Sequence, residues 1–375
     1  MITNLQLLRA LAALAVVFCH TGFFRIDGSS TDFLGVCVFF VISGFIMTHV
    51  SRSSVDQFMT KRLVRIVPLY WLCTLVYLMW GNLGFSNPLY TFPLFAKWAA
   101  SDPVQLLVWI KQNYGLGDRD AAIRLIKSLL FIPYAKANGE MLFPVLGVGW
   151  SLNLEMFFYV LFGAALRISQ RHGPLLVVTA ITGINGIAFF VNPKNTVLAF
   201  YAHPYTWCFV LGIGCFYVWR GLAGSTVVRH RATLLLGTAL FVVIFLALNV
   251  TFKLADEPSL PLRVLGFGLA GIVVMLGLLL HSAGIRVRSH FVILLGNASY
   301  SLYLCHSFVM DTMRTLAQRW PWLDSQTKVS GMLVAIVLSI ALALLVYRYV
   351  EMPLLALLRR WLKRRQRDDP APAAA

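Results

Sequence analysis

Arginine and histidine are costly in hydrocarbon, and the first apolar run of this chain contains one of each, Arg9 and His20, eleven residues apart. On a helix, eleven steps of about 100° bring both side chains to one face, roughly 16 Å apart along the axis. An imidazole, with an unperturbed pKa of about 6.5, can accept the proton of a hydroxyl at neutral pH, and a guanidinium can neutralise a phosphate. Snorkelling to the interface accounts for Arg9 equally well, and a hydrogen-bonded core histidine is the plain alternative for His20.

A second group lies in WSLNLEMFFY, residues 150–159. Here Ser151, Glu155 and Tyr159 follow at intervals of four and share a helical face, with Trp150 beside them. The run enters from the opposite side to the first, so Glu155 is expected at about the depth of His20. There it can hold the imidazole in one tautomer, or bind a sugar directly; the residues leave both open. The third group is GNASYSLYLCH, where Ser299, Tyr303 and His306 fall at i, i+4 and i+7. An interfacial aromatic belt explains the tyrosines but not His306. A catalytic role is expected for His20, Glu155 and His306, with Ser43, Trp150, Ser151, Ser299 and Tyr303 as candidates for substrate or oxyanion contacts. The fourth group is Lys61, Arg62 and Arg65, with Arg348 and Glu351 near the end of the last apolar run. Arg62 and Arg65 are one turn apart and suit an anion, although basic residues also gather on the inner face of any membrane protein.

The elements that must carry these groups are legible from composition. Of 375 residues, 59% are apolar and 13% charged, about half the charge of a soluble domain. Ten runs are long enough to cross about 30 Å of hydrocarbon as helices: 5–24, 33–50, 66–82, 148–166, 174–191, 201–219, 232–250, 262–281, 289–310 and 330–349. The expected fold is therefore an all-α polytopic bundle of about ten spans. The first run holds Arg9 and His20 and lacks a small-residue cleavage site, so it is expected to remain in the protein. The formal charge of +17 does not point to nucleic acid. Its basic residues concentrate in alternate loops and the C-terminal segment, which places both termini in the cytoplasm.

The six cysteines show neither metal-ligand spacing nor a disulfide framework and read as small apolar residues; no metal is expected. Residues 1–351 read as one membrane domain, and 352–375 as a basic tail that lies on anionic lipid and ends in disorder. The long segment 84–147 is either a substrate-facing lid or a connector, with an amphipathic stretch at 121–132. No internal repeat of the transporter kind is present.

These pieces resemble the membrane-bound acyltransferase 3 family, and within it the bacterial exopolysaccharide acetyltransferases of succinoglycan type. The likeness rests on Arg9 with His20, FFVISGF (39–45), KRLVRIVPLYW (61–71), WSLNLEMFFY (150–159), SYSLYLCH (299–306), and Glu351 followed by Pro353, all in the family's order. The resemblance implies acetyl-CoA as donor and the hydroxyl of a polysaccharide or lipid-linked oligosaccharide as acceptor. It also implies a bacterial inner membrane, polysaccharide-assembly proteins as partners, essential Arg9 and His20, and Lys61, Arg62 and Arg65 on the donor side. No esterase-like domain accompanies the membrane part, so transfer is expected to finish within it or in a partner. A proton-coupled transporter, a polyprenyl-sugar glycosyltransferase built on Asp27 and Asp32, and a structural membrane protein are the competing readings.

Overall fold

The computed structural model describes residues 2–23, 33–51, 58–82, 97–105, 108, 119–135, 141–191, 196–225, scattered positions between 230 and 241, and 260–368. Most of the run 232–250, much of 84–147, Asp27, Asp32 and the end of the tail lie outside the described residues.

Among the described residues the chain is helical, apart from a two-residue antiparallel pair in which Tyr134 faces Leu142. Its helices are α1 (Thr3–His20), α2 (Phe33–Ser51), α3 (Phe58–Asn82), α4 (Arg119–Leu129), α5 (Gly149–Ile168), α6 (Gly173–Val191), α7 (Thr196–Tyr201), α8 (Thr206–Leu222), α9 (Leu260–Ser282), α10 (His290–Asn297), α11 (Ser299–Ala317), α12 (Val329–Val346) and α13 (Met352–Asp368). Among the described residues six helices are long and apolar enough to cross a membrane, or seven if α10 and α11 count as one span. The protein is thus a multi-pass membrane protein.

Two features differ from the expectation of straight, separate spans. The run 289–310 is broken, because α10 and α11 meet at 71°. At the break α10 lies so close to α1 that a Cβ on Gly296 would stand 2.2 Å from the Gln6 carbonyl oxygen, and the chain then turns away through Ala298. The last run does not stop near residue 349. It passes through a π turn at Tyr347–Glu351 into α13, whose LLALLRRWLKRR sequence alternates apolar and basic faces.

Helix α1 lies at the centre, packed against α2, α9, α10, α11 and α12. Its small residues Ala10, Ala12 and Ala13 are at most 4% exposed and let these neighbours approach. Near its start Asn4 donates to the carbonyls of Gly277 (3.1 Å) and Ile285 (2.9 Å) and accepts from the Val287 N–H (3.0 Å). Leu11 faces outward, 52% exposed, whereas Arg9 and His20 are half-buried and His20 meets the ring of His306 on α11.

The pair α2 and α8 forms the other close crossing. A Cβ on Gly212 would lie 2.1 Å from the Val41 carbonyl oxygen, and one on Gly44 would lie 2.2 Å from that of Phe209. A Gly212→Val substitution is expected to force the two helices apart at a cost of about 1–3 kcal/mol or more. Thermal unfolding of detergent-purified protein should show a clear fall in Tm, and an unchanged Tm would mean the contact is not tight.

Candidate active site

His20 is the last residue of α1, and its Nδ1 lies 2.9 Å from the Val16 carbonyl oxygen. A carbonyl only accepts, so in the neutral ring the proton sits on Nδ1 and Nε2 carries the lone pair. His306 repeats the arrangement on α11, with Nδ1 3.2 Å from the Leu302 carbonyl oxygen. It is fully buried, and its Nε2 has no hydrogen-bond partner among the described residues. The two imidazoles meet edge to face, with ring centroids 4.7 Å apart.

His20 lines a cavity of about 620 Å³ between α3, α4, α5, α11 and the residues 132–134 and 143–147. Asn153 and Trp150 stand on its α5 wall. On its α11 wall Ser307, Met310, Asp311 and Arg314 form one stripe. The Tyr77 hydroxyl donates to Asp311 Oδ2 at 2.6 Å, and Arg314 pairs with Oδ1 at 3.2 Å.

Glu155 does not join the histidines. Its Oε1 accepts from the Ser43 hydroxyl at 2.9 Å and from the Tyr159 hydroxyl at 2.5 Å, and its charge is felt by Arg9 and Arg62. The tautomer-fixing role open to Glu155 from sequence is filled for His20 by the Val16 carbonyl. The reason lies in where α5 begins. Gly149 packs on the ring of Tyr70, twelve residues into α3, and the Tyr70 hydroxyl donates to the Ser128 carbonyl at 3.1 Å. Glu155 stands six residues further along α5, roughly 9 Å along the axis, and outside the lining of the cavity that holds His20.

At that depth the structure gathers charge. Arg9 lies in the electrostatic company of Arg65, Glu155, Glu351 and Tyr159. Glu351, 2% exposed, projects from the π turn and accepts from the Ser301 hydroxyl at 2.6 Å. Arg62 and Arg65 are half-buried on the same tier, whereas Lys61 is exposed and stands apart. Arginines with carboxylates set back among them suit a phosphorylated anion.

The remaining candidates form a bolt, not an oxyanion site. Ser151 Oγ and the Tyr303 hydroxyl are 2.6 Å apart, and each is 3.1 Å from the Val148 carbonyl oxygen, so this network is occupied with tying α5 to α11. Ser299 is fully buried at the start of α11, away from the cavity lining. His306, fully buried, has its Nδ1 on the Leu302 carbonyl. Among the described residues no cluster of His, Cys, Asp and Glu forms a metal site.

Sequence reasoning passed over Asn153, Tyr77, Asp311 and Ser301. Asp311 had a readable signal, as an acid inside the apolar run LCHSFVMDTM. Asn153 was hidden between the Trp-Ser and Glu of a motif already singled out.

A profile of the acyltransferase domain matches residues 2–348. The chain belongs to the acyltransferase 3 family. It is 32% identical over 286 residues to the exopolysaccharide production protein ExoZ of Rhizobium meliloti, a match covering 74% of this chain and 77% of that protein. Nodulation protein 10 of Rhizobium leguminosarum bv. viciae is 26% identical, over 94% of this chain and 93% of its own. The O-acetyltransferase OatA of Staphylococcus aureus is 22% identical, over 92% of this chain and 56% of its own. No solved structure matches the chain. The chain is thus an acyltransferase-like membrane protein related to polysaccharide O-acetyltransferases.

The buried arginines depend on their carboxylates, because removing one partner of a buried charge set leaves the other uncompensated. Glu351→Leu is expected to cost about 3–5 kcal/mol and Ser301→Ala about 1–2 kcal/mol, both read as lowered Tm in detergent. A Glu351→Leu protein that melts with the wild type would show that the arginines do not lean on this side chain.

Proposed function

We propose that this protein transfers an acetyl group from acetyl-CoA to a hydroxyl of a bacterial surface or exported polysaccharide, or of its lipid-linked precursor. It does so across the inner membrane with ten spans and both termini in the cytoplasm. The carrying observation is the His20–His306 pair, each ring bonded through Nδ1 to a carbonyl, with His20 lining a cavity at one end of a helix whose other end carries Arg9. The family membership and the names of the relatives support the same reading.

Arg9, Arg62 and Arg65 fit the phosphates of CoA, and acetyl-CoA supplies the thioester. His20 Nε2 takes the proton of the sugar hydroxyl as its oxygen attacks the thioester carbonyl, and that proton then leaves with the CoA thiolate, so charge balances over the cycle. His306 shares the imidazolium charge from behind. The distance from Arg9 to His20 along α1, roughly 16 Å, suits an extended pantetheine arm. Glu155, bonded by Ser43 and Tyr159, acts between the tiers as the counter-charge of Arg9 and Arg62. Residues 1–351 form the catalytic domain. Segment 352–375, which begins as α13, rests its basic face on anionic lipid.

Mass spectrometry of the surface polysaccharide, from cells with and without the gene, should differ by one acetyl per repeat. His20→Ala, inserted to wild-type level, should lower acetylation about 10²–10⁴-fold. Full acetylation by that variant would refute the role of His20, and identical polysaccharides with and without the protein would refute the reaction.

A further inference from the structure

The cavity beside His20 has chemistry that the transfer step does not use. Asn153 stands in its wall, one to two turns into α5, and is 1% exposed. Its Oδ1 is buried without a hydrogen-bond partner among the described residues. A buried amide oxygen left unpaired is destabilising, and such a group persists in a cavity wall when a ligand satisfies it. Across the cavity Asp311 presents a carboxylate whose geometry is already fixed by the Tyr77 hydroxyl and Arg314, with lone pairs remaining on both oxygens. In the same lining Trp150 and Tyr205 pack edge to face, with centroids 5.3 Å apart, and Tyr205 stacks on His203 at 4.8 Å.

We propose that Asn153 and Asp311 form the acceptor subsite and that they bind a pyranose ring through hydroxyls adjacent to the one acetylated. The inference rests on the acyl-transfer reading above and names what that site recognises. The polar wall offers acceptors in the amide oxygen of Asn153 and the carboxylate of Asp311, and donors in Arg124 and Arg314. Its complement is a ligand that both donates and accepts, and a sugar ring with neighbouring hydroxyls is such a ligand. The aromatic faces of Trp150 and Tyr205 suit the C–H face that a pyranose presents opposite its hydroxyls. Asp311 lies five residues beyond His306 on α11, roughly 7.5 Å along the axis, which is about the span of one sugar ring. Asn153 and Asp311 thus act as specificity residues: they decide which hydroxyl of which residue reaches His20, while the donor is held on the arginine tier.

The test uses full-length protein in lipid nanodiscs, acetyl-CoA, and surface polysaccharide freed of its acetyl groups with mild base. Wild type, Asn153→Ala and Asp311→Asn are compared while acceptor and donor are varied separately. Each variant should raise the KM for polysaccharide about tenfold, the worth of one hydrogen bond to a buried partner, and leave the KM for acetyl-CoA within about twofold. The unchanged donor KM also reports that the variants are folded. An unchanged polysaccharide KM in both variants overturns the subsite, as does a parallel rise in both KM values, which marks a purely structural role. If the wild type transfers no acetyl to the polysaccharide, the acyl-transfer reading fails and the subsite fails with it. A wild type that transfers beside indifferent variants sinks the subsite alone.

Discussion

Charge taken into a bilayer must be met by opposite charge or by hydrogen bonds, and this requirement organises the bundle. Three arginines, Arg9, Arg62 and Arg65, enter the protein on α1 and α3, and two carboxylates, Glu155 and Glu351, come to the same tier from α5 and from the turn after α12. Neither carboxylate is left with arginine alone, since serine hydroxyls from α2 and α11 bond each of them. Elements distant in sequence are thereby drawn to one level. A cationic surplus of one remains when both acids are ionised, so the tier stays attractive to an anion.

The histidine tier obeys a different rule. Here charge is kept out until chemistry brings it. Each imidazole is fixed by a carbonyl four residues earlier on its own helix, an interaction that needs no partner helix and survives small shifts in packing. The helices α1, α5 and α11 run through both tiers, so the separation between anion site and proton acceptor is set by helical rise and not by loops. The tight crossings around α1, and the Ser151–Tyr303 bolt between α5 and α11, make that separation rigid.

Much of this was legible from residue type and period. The apolar runs located most helices within a few residues, and the eleven-residue spacing put Arg9 and His20 on one face of a helix that packs against several others. The groups that failed were those whose depth depends on where a helix begins. Glu155 was assigned to the level of His20, whereas it stands roughly 9 Å beyond the start of α5, bonded by Ser43 and Tyr159 and outside the cavity that His20 lines. The 71° break before Ser299 was equally hidden, because Gly296 and Ala298 look like ordinary small residues of a membrane helix, and their effect comes from contact with Gln6. Ser151 and Tyr303 were read as available hydroxyls, and only the coordinates reveal that they are bonded to each other.

The central claim is that one molecule of donor bridges the two tiers. The most direct measurement is a cryo-electron microscopy map of the protein in a lipid nanodisc with CoA bound. The expected density has its phosphates against Arg9, Arg62 and Arg65 and its thiol within about 4 Å of the His20 ring, the approach that reaction requires. Density with the phosphates at the histidine end, or with the thiol turned away from His20, contradicts it.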